Sequence, residues 1–406
     1  MTDLSGSHGY GYDDRYQLTA ATHPAQQAET FGYDSVGNRT TSHISASYTY
    51  NSANQLLEDA EFTYTFDLDG NCVGKVSKID GTRHEYIFNS ENRMTGYRKY
   101  DISSTLLTTA DYFYDALGRR IAKRVNGALT RYMYHEEDIW LAITPSGIAV
   151  HYQHGPGIDE PLVAWASYDG PYTEPLYYFA DGLGTIRAAK GQDWAGRDMS
   201  ASYEFDSFGQ VKSSTSTLKS EWPLFTYTAR EADSETGQLF LRARYYDPRS
   251  GRFVSEDPAG VQGILYPYAG NDPVNYVDPF GLAHEPGGPW HPDDWIKLRC
   301  LEADGCPTLQ MKISLLSQTI QSHRAWDKKH GINRHADDIQ QLINAIENCK
   351  AIYDKKCPQV TPPTPPKTCP QECKKSTVLV AVAVAGYIVY KLVELYLCPP
   401  LVAVTP

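Results

Sequence analysis

Two aspartates, Asp257 and Asp278, each stand directly before a proline, in Ser255-Glu256-Asp257-Pro258 and Val277-Asp278-Pro279. Two carboxylates that share a proton form an acid–base pair suited to peptide hydrolysis: one activates water while the other polarises the scissile carbonyl. Proline stiffens the backbone that aims each carboxylate. Asp-Pro is also an ordinary turn former, so residue type alone leaves both readings open. A second set, His323, Asp327, His330, His335 and Asp338, gathers imidazoles and carboxylates in one short stretch. Such groups bind a metal or act as acid and base in a nuclease. Their spacing matches no strict signature, and the other readings are a polar loop with capping and surface histidines, or a zinc site shared with cysteines. No metal and no cofactor is assigned.

The elements that must position these groups differ on the two sides of Leu282. Of 30 tyrosines, only Tyr353, Tyr387, Tyr390 and Tyr396 lie beyond it, whereas Cys72 is alone before it and the other seven of eight cysteines follow. Lys and Arg number 23 against 37 Asp and Glu up to Leu282, and 14 against 12 after it, so an acidic body joins a nearly balanced tail. The acidic body offers no footprint for nucleic acid. Residues 1–30 contain no apolar signal segment, while the clustered tail cysteines suit an oxidising compartment. A specialised secretion route reconciles the two.

The body repeats itself. Tyr33-Asp34-Ser35-Val36-Gly37-Asn38-Arg39 returns as Tyr114-Asp115-Ala116-Leu117-Gly118-Arg119-Arg120, with looser copies at Tyr50-Asn51, Phe66-Asp67, Phe88-Asn89 and Phe205-Asp206. In each, an aromatic residue ends an alternating, β-prone run such as Tyr112-Phe113-Tyr114. Asp or Asn then starts a turn, Gly or Asn takes positive φ, and a strand resumes. One such hairpin cannot bury its apolar face alone, but a stack of them can.

These units resemble the YD repeats of RHS proteins, bacterial Tc-toxin C components and teneurins, over roughly residues 10–282. Residues 177–187 (YYFADGLGTIR), 225–231 (FTYTARE) and 236–248 (TGQLFLRARYYDP) are similar to that family's late core segments. Residues 273–282, PVNYVDPFGL, match its closing P-x(4)-D-P-x-G-L signature, with Pro273, Asp278, Pro279, Gly281 and Leu282 at the defined positions. The resemblance implies a mainly β fold, a hairpin sheet spiral forming a partial shell. It also implies an aspartyl-protease-like cut between Leu282 and Ala283, with Asp257 and Asp278 as the dyad and Arg252 as a basic residue that orients or tunes it. Gly281 allows a sharp turn that presents the bond. Family shells carry more repeats, so this chain looks like the C-terminal part or end cassette of a larger protein.

The expected organisation is a core at 1–282, a helical, cysteine-containing variable region at 283–357, a Pro-rich linker at 358–376 and a hydrophobic helix at 377–398. Leu309, Ile313, Leu316 and Ile320 keep helical spacing, as do Ile339, Leu342, Ile343 and Ile346. Cys300, Cys306, Cys349 and Cys357 are candidates for disulfides. Val378–Leu397, twenty residues, is long enough to span a bilayer as a helix. In the resembling family the segment beyond the Leu is usually toxic cargo. The resemblance therefore implies a secreted or cell-surface, polymorphic-toxin protein of interbacterial competition, with an immunity protein and secretion machinery as partners and a membrane as partner of 377–398. Two alternatives accompany it: an uncleaved surface or adhesion protein anchored by that helix, and a tail that is a nuclease.

Overall fold

A computed structural model describes residues 2–282 apart from 4–5, 25, 156, 168–174, 193–195, 219–224 and 259–264. Beyond Leu282 it describes 285–286, the positions Leu309, Ile313, Leu316 and Ile320, the run 336–357, and the backbone of 374–384 and 387–397. The chain divides into two compact units, Met1–Lys356 and Cys357–Pro406.

The repeats build a 16-stranded antiparallel sheet in which each strand pairs with its neighbours in sequence, from Thr49–Tyr50 to Val211–Ser216. A four-stranded sheet precedes it (Gly9–Tyr12, Leu18–Thr22, Glu29–Tyr33, Arg39–Ser42), and a second follows (Glu231–Asp233, Gln238–Leu241, Arg244–Asp247, Arg252–Phe253).

Hydrogen bonds explain the repeat residue by residue. In the unit at Asp115, the Asp115 carboxylate accepts the backbone N–H groups of Leu117 (2.9 Å) and Arg119 (3.0 Å). The Gly118 N–H donates to the Asp115 carbonyl and the Asp115 N–H to that of Arg119. Such local bonding makes Asp and Asn turn residues. The fourth position needs positive φ: 84° at Gly118, and 61° and 57° where Asn54 and Asn92 stand instead. Each turn also leaves a register shift, as between Phe113 and Tyr114 opposite Ala122 and Arg120, the mark of a β-bulge. The aromatic residue that ends the strand before a turn then reaches back to the previous unit. Tyr33 donates its hydroxyl to the Leu18 carbonyl, Tyr50 to Arg39, Tyr114 to Met94 and Tyr134 to Arg120. Tyrosine suits this position because its ring packs while its hydroxyl finds a partner.

One face of the long sheet is aromatic. Tyr86, Tyr97, Tyr112, Tyr132, Tyr152, Tyr178 and Tyr203 are buried with residues of the following small sheet and its flanks, among them Phe225, Tyr227, Phe240 and Tyr245. Arg120, fully buried, crosses between the layers to Glu231 (3.0 Å) and Asp233, which also takes Lys123 at 2.8 Å. A buried guanidinium without carboxylate partners would be strongly destabilising. The first and last units touch: Glu29 accepts the Ser207 N–H at 3.1 Å, and Phe31 meets Phe208 edge-on with ring centroids 5.0 Å apart.

After Leu282, Leu309, Ile313, Leu316 and Ile320 are helical, and a 21-residue helix runs over Ala336–Lys356 with Leu342, Ile346, Cys349 and Ile352 buried. Cys349 and Cys357 are both disulfide-bonded; Cys300 and Cys306 lie outside the described residues. The hydrophobic helix anticipated at 377–398 is not formed. Lys374–Val384 pairs with Tyr387–Leu397 as an antiparallel hairpin closing between Val384 and Tyr387. Its Val, Ile, Thr and Tyr content favours strands over helix. Among the described residues no helix is long and apolar enough to cross a membrane, so the expected helical span and the membrane contact built on it are withdrawn.

Candidate active site

The site forms on the hairpin Gln238–Leu241/Arg244–Asp247, whose eight strand residues are all buried. Its turn carries Arg242 at φ 52°. The closing decapeptide lies across this turn, and three consecutive carbonyls are taken in order by three consecutive residues. The Arg242 side chain donates to Pro279, the Ala243 N–H to Phe280 (3.1 Å) and the Arg244 Nε to Gly281. Close approach explains the glycine. Gly281 has φ 68°, and a Cβ there would sit 2.5 Å from the Leu241 carbonyl oxygen and 3.1 Å from the Arg244 nitrogen.

Asp278 and Asp257 meet at Arg244. Its Nη2 lies 3.4 Å from Asp278 Oδ2 and 3.5 Å from Asp257 Oδ2. The other oxygen of Asp278 accepts the Leu282 N–H at 2.9 Å. Asp257 is held through its backbone, whose N–H donates to the Leu265 carbonyl at 3.1 Å; the same carbonyl accepts from Arg244 Nη1 at 3.1 Å. The guanidinium lies 3.6 Å from the centroid of the Phe253 ring. Burial pulls Arg244 below its ordinary pKa, against the opposing pull of Asp257 and Asp278. Arg244, Asp257, Asp278, Phe280 and Leu282 are all buried, so the charges interact in a low-dielectric surrounding. Such a group of carboxylates beside one cation, at a backbone segment gripped by residues 242–244, has the residue types for acid–base chemistry on a peptide bond.

Sequence reasoning brought Asp257 and Asp278 forward, and the structure places them together, with Leu282 against Asp278. Arg252 does not join them. It bonds Asn38 Oδ1 (3.2 Å) and the Asn54 carbonyl (2.6 Å), and lies 4.9 Å from the centroid of the Tyr50 ring. Arg244, not Arg252, is the cation at the pair. The sequence carries a partial signal: Leu239-Phe240-Leu241-Arg242-Ala243-Arg244-Tyr245-Tyr246 is a run that must be buried, so both of its arginines need acceptors, without saying which one meets the aspartates. Pro273 is buried, and its carbonyl accepts the Tyr227 hydroxyl at 3.4 Å. Ala283 and the whole set His323, Asp327, His330 and His335 lie outside the described residues, as does the side chain of Asp338.

A Teneurin YD-shell family model matches residues 1–154. The chain is 29% identical over 284 residues to the tRNA3(Ser)-specific nuclease WapA of Bacillus spizizenii, a match covering 66% of this chain and 12% of that protein. It is 25% identical over 315 residues to the double-stranded DNA deaminase toxin A of Burkholderia cenocepacia, covering 69% of this chain and 21% of that one. Among solved structures, the complex titled TcdB2-TccC3-Cdc42 matches 68% of this chain and 18% of its own at 18% identity, with a TM-score of 0.40. The chain thus spans about an eighth to a fifth of the length of these two relatives.

Proposed function

We propose that this RHS/YD-repeat protein is a polymorphic-toxin cassette whose core, residues 1–282, cuts itself after Leu282 and frees the segment that follows. The observation that carries the proposal is the convergence of Asp257 and Asp278 on one buried guanidinium, with Asp278 also bonded to the Leu282 N–H. Two relatives add support. One is named for a tRNA nuclease and the other for a DNA deaminase, yet each matches about two-thirds of this chain. A stretch common to both suits a carrier better than either catalyst.

The chemistry follows from charge. A low-dielectric site disfavours unbalanced charge, and the proposed dyad requires one proton shared between its two carboxyl groups. Taking up one proton leaves a carboxylate, a carboxylic acid and a guanidinium with no net charge, the protonation state an acid–base dyad needs. The carboxylate removes a proton from water, whose oxygen attacks the Leu282 carbonyl carbon. The acid protonates the carbonyl oxygen. As the tetrahedral intermediate collapses, the bond to the Ala283 nitrogen breaks, that nitrogen takes up a proton, and Leu282 ends as a carboxylate. The reaction is a single turnover in cis. The grip of residues 242–244 on the carbonyls of 279–281 supplies the orientation.

Intact-mass measurement of the full-length chain tests the proposal. Two fragments splitting between Leu282 and Ala283, and one intact mass for Asp278→Asn, are expected; an uncut parent refutes the cut, and a variant that still cuts refutes the aspartate dyad. Release of toxic cargo entails a secreted or surface-delivered protein, delivery machinery and an immunity partner. Growth arrest by expressed 283–406 tests that part.

A further inference from the structure

Of the three carbonyls that present the closing segment, the one of Pro279 hangs on a side chain, that of Arg242. Its backbone is in the left-handed region at φ 52°, a conformation non-glycine residues adopt only when their surroundings hold it. The holding group comes from far away in sequence. Asp159, in the loop between strands Ala149–His154 and Pro161–Ser167, grips the Arg242 guanidinium from both oxygens, Oδ2 to Nη1 and Oδ1 to Nη2, each at 2.9 Å. The Glu137 carbonyl accepts from Nη2 at 3.1 Å, and Asp138 Oδ1 lies 3.5 Å from it. Asp159 is itself at φ 57°, with its N–H donating to Asp138 Oδ1 at 3.1 Å. The same carboxylate bonds Arg230, which grips the Phe240 carbonyl through Nε (3.0 Å) and Nη2 (2.8 Å). Both guanidinium contacts are nearly buried. One carboxylate of the repeat array thus aims two arginines, one at the hairpin strand and one at the closing segment, and a bidentate carboxylate–guanidinium pair fixes direction as well as distance.

We propose that Asp159 is a positioning residue for the cut: by aiming Arg242 it sets the Pro279 carbonyl, so that the Leu282 bond meets the aspartate pair only once the repeat loop has packed on the hairpin. The inference rests on the self-cleavage reading. It makes cutting a report on completed folding of the array, which would keep cargo attached until its carrier is built.

The test follows conversion of the full-length chain into two fragments by mass spectrometry during a pulse of cell-free synthesis. Asp159→Ala is expected to slow the first-order rate by about ten- to a hundredfold, the size of effect expected when a reacting segment shifts by about an ångström. Asp159→Glu, which keeps the charge, should recover part of the rate. Asp159→Ala combined with Arg242→Ala should be no slower than Arg242→Ala alone, because one residue acts through the other. Parent-rate cutting by Asp159→Ala, no recovery with Glu, or a double variant as slow as the product of the single effects would each overturn the inference. If Asp159→Ala does not fold, Asp159→Asn, of matching size, decides it by the same rate. An uncut parent in the same assay would instead overturn the self-cleavage reading, and cutting by Asp278→Asn would overturn the aspartate dyad, whatever the Asp159 variants do.

Discussion

The Leu282 N–H donates to Asp278 Oδ1 at 2.9 Å, across four residues of the closing segment. A carboxylate that bonds the residue next to the proposed cut while its second oxygen faces Arg244 is held in place by the segment it is proposed to act on. The bond and the acid that would act on it belong to one short turn, and the partner carboxylate and the cation arrive from elsewhere. Two consequences are open to measurement, and a third prediction concerns the core.

Removal of the cation should unbalance the site. Arg244→Ala leaves Asp257 and Asp278 buried and without the guanidinium they share. Breaking such a buried arrangement costs about 3–5 kcal/mol. Urea unfolding of the full chain should show that loss, and changing both aspartates to Asn in the same background should restore part of it. An unchanged unfolding free energy would mean that the guanidinium does not balance the pair.

Gly281→Ala should destabilise the core and slow the proposed cut together. The left-handed backbone disfavours alanine by about 1–2 kcal/mol, and a Cβ 2.5 Å from the Leu241 oxygen adds to that by pushing the segment off the hairpin. Denaturant midpoint and cleavage rate, read on one sample, check both. Full stability with full rate would remove the role of close approach.

Stability of the core should depend on pH through Asp206. Burial first, and then nearby Glu29, push its carboxyl up to about 7, whereas an unfolded aspartate titrates near about 3.9. Between these values the folded chain binds more protons than the unfolded chain. Stability from this site is therefore complete below about 4 and declines as pH rises toward about 7. Asp206→Asn should flatten that slope, since its amide oxygen can still accept the N–H groups of Phe208 and Gln210 that Asp206 accepts at 3.0 and 2.9 Å. Chemical denaturation across that pH range would show equal slopes for both proteins if the assignment is wrong.

The repeat units were legible in the chain because their signals are local. Asp115 bonds groups two and four residues on, Gly118 takes its conformation within the same turn, and alternation fixes which side of a strand is apolar. The pairing of Asp257 with Asp278 was reached through the resemblance of the segments that carry them, and the Asp-Pro pairs read the same as plain turns. The segment 374–397 misled in the other direction. A long apolar run has the length of a helix, and only its β-branched and aromatic residues pointed to the hairpin it forms.

What the sequence alone could not decide was which arginine serves the pair. Arg242, Arg244 and Arg252 lie within eleven residues, with equal charge and similar reach. Arg252 is drawn to Asn38 and Asn54 of the early repeats, Arg242 to Asp159, and Arg244 to the two aspartates. These partners come from segments brought together by sheet register and packing. A charge's choice among distant partners is a property of the folded arrangement, because each guanidinium, once buried, must end beside the acceptors that the rest of the chain has carried to it.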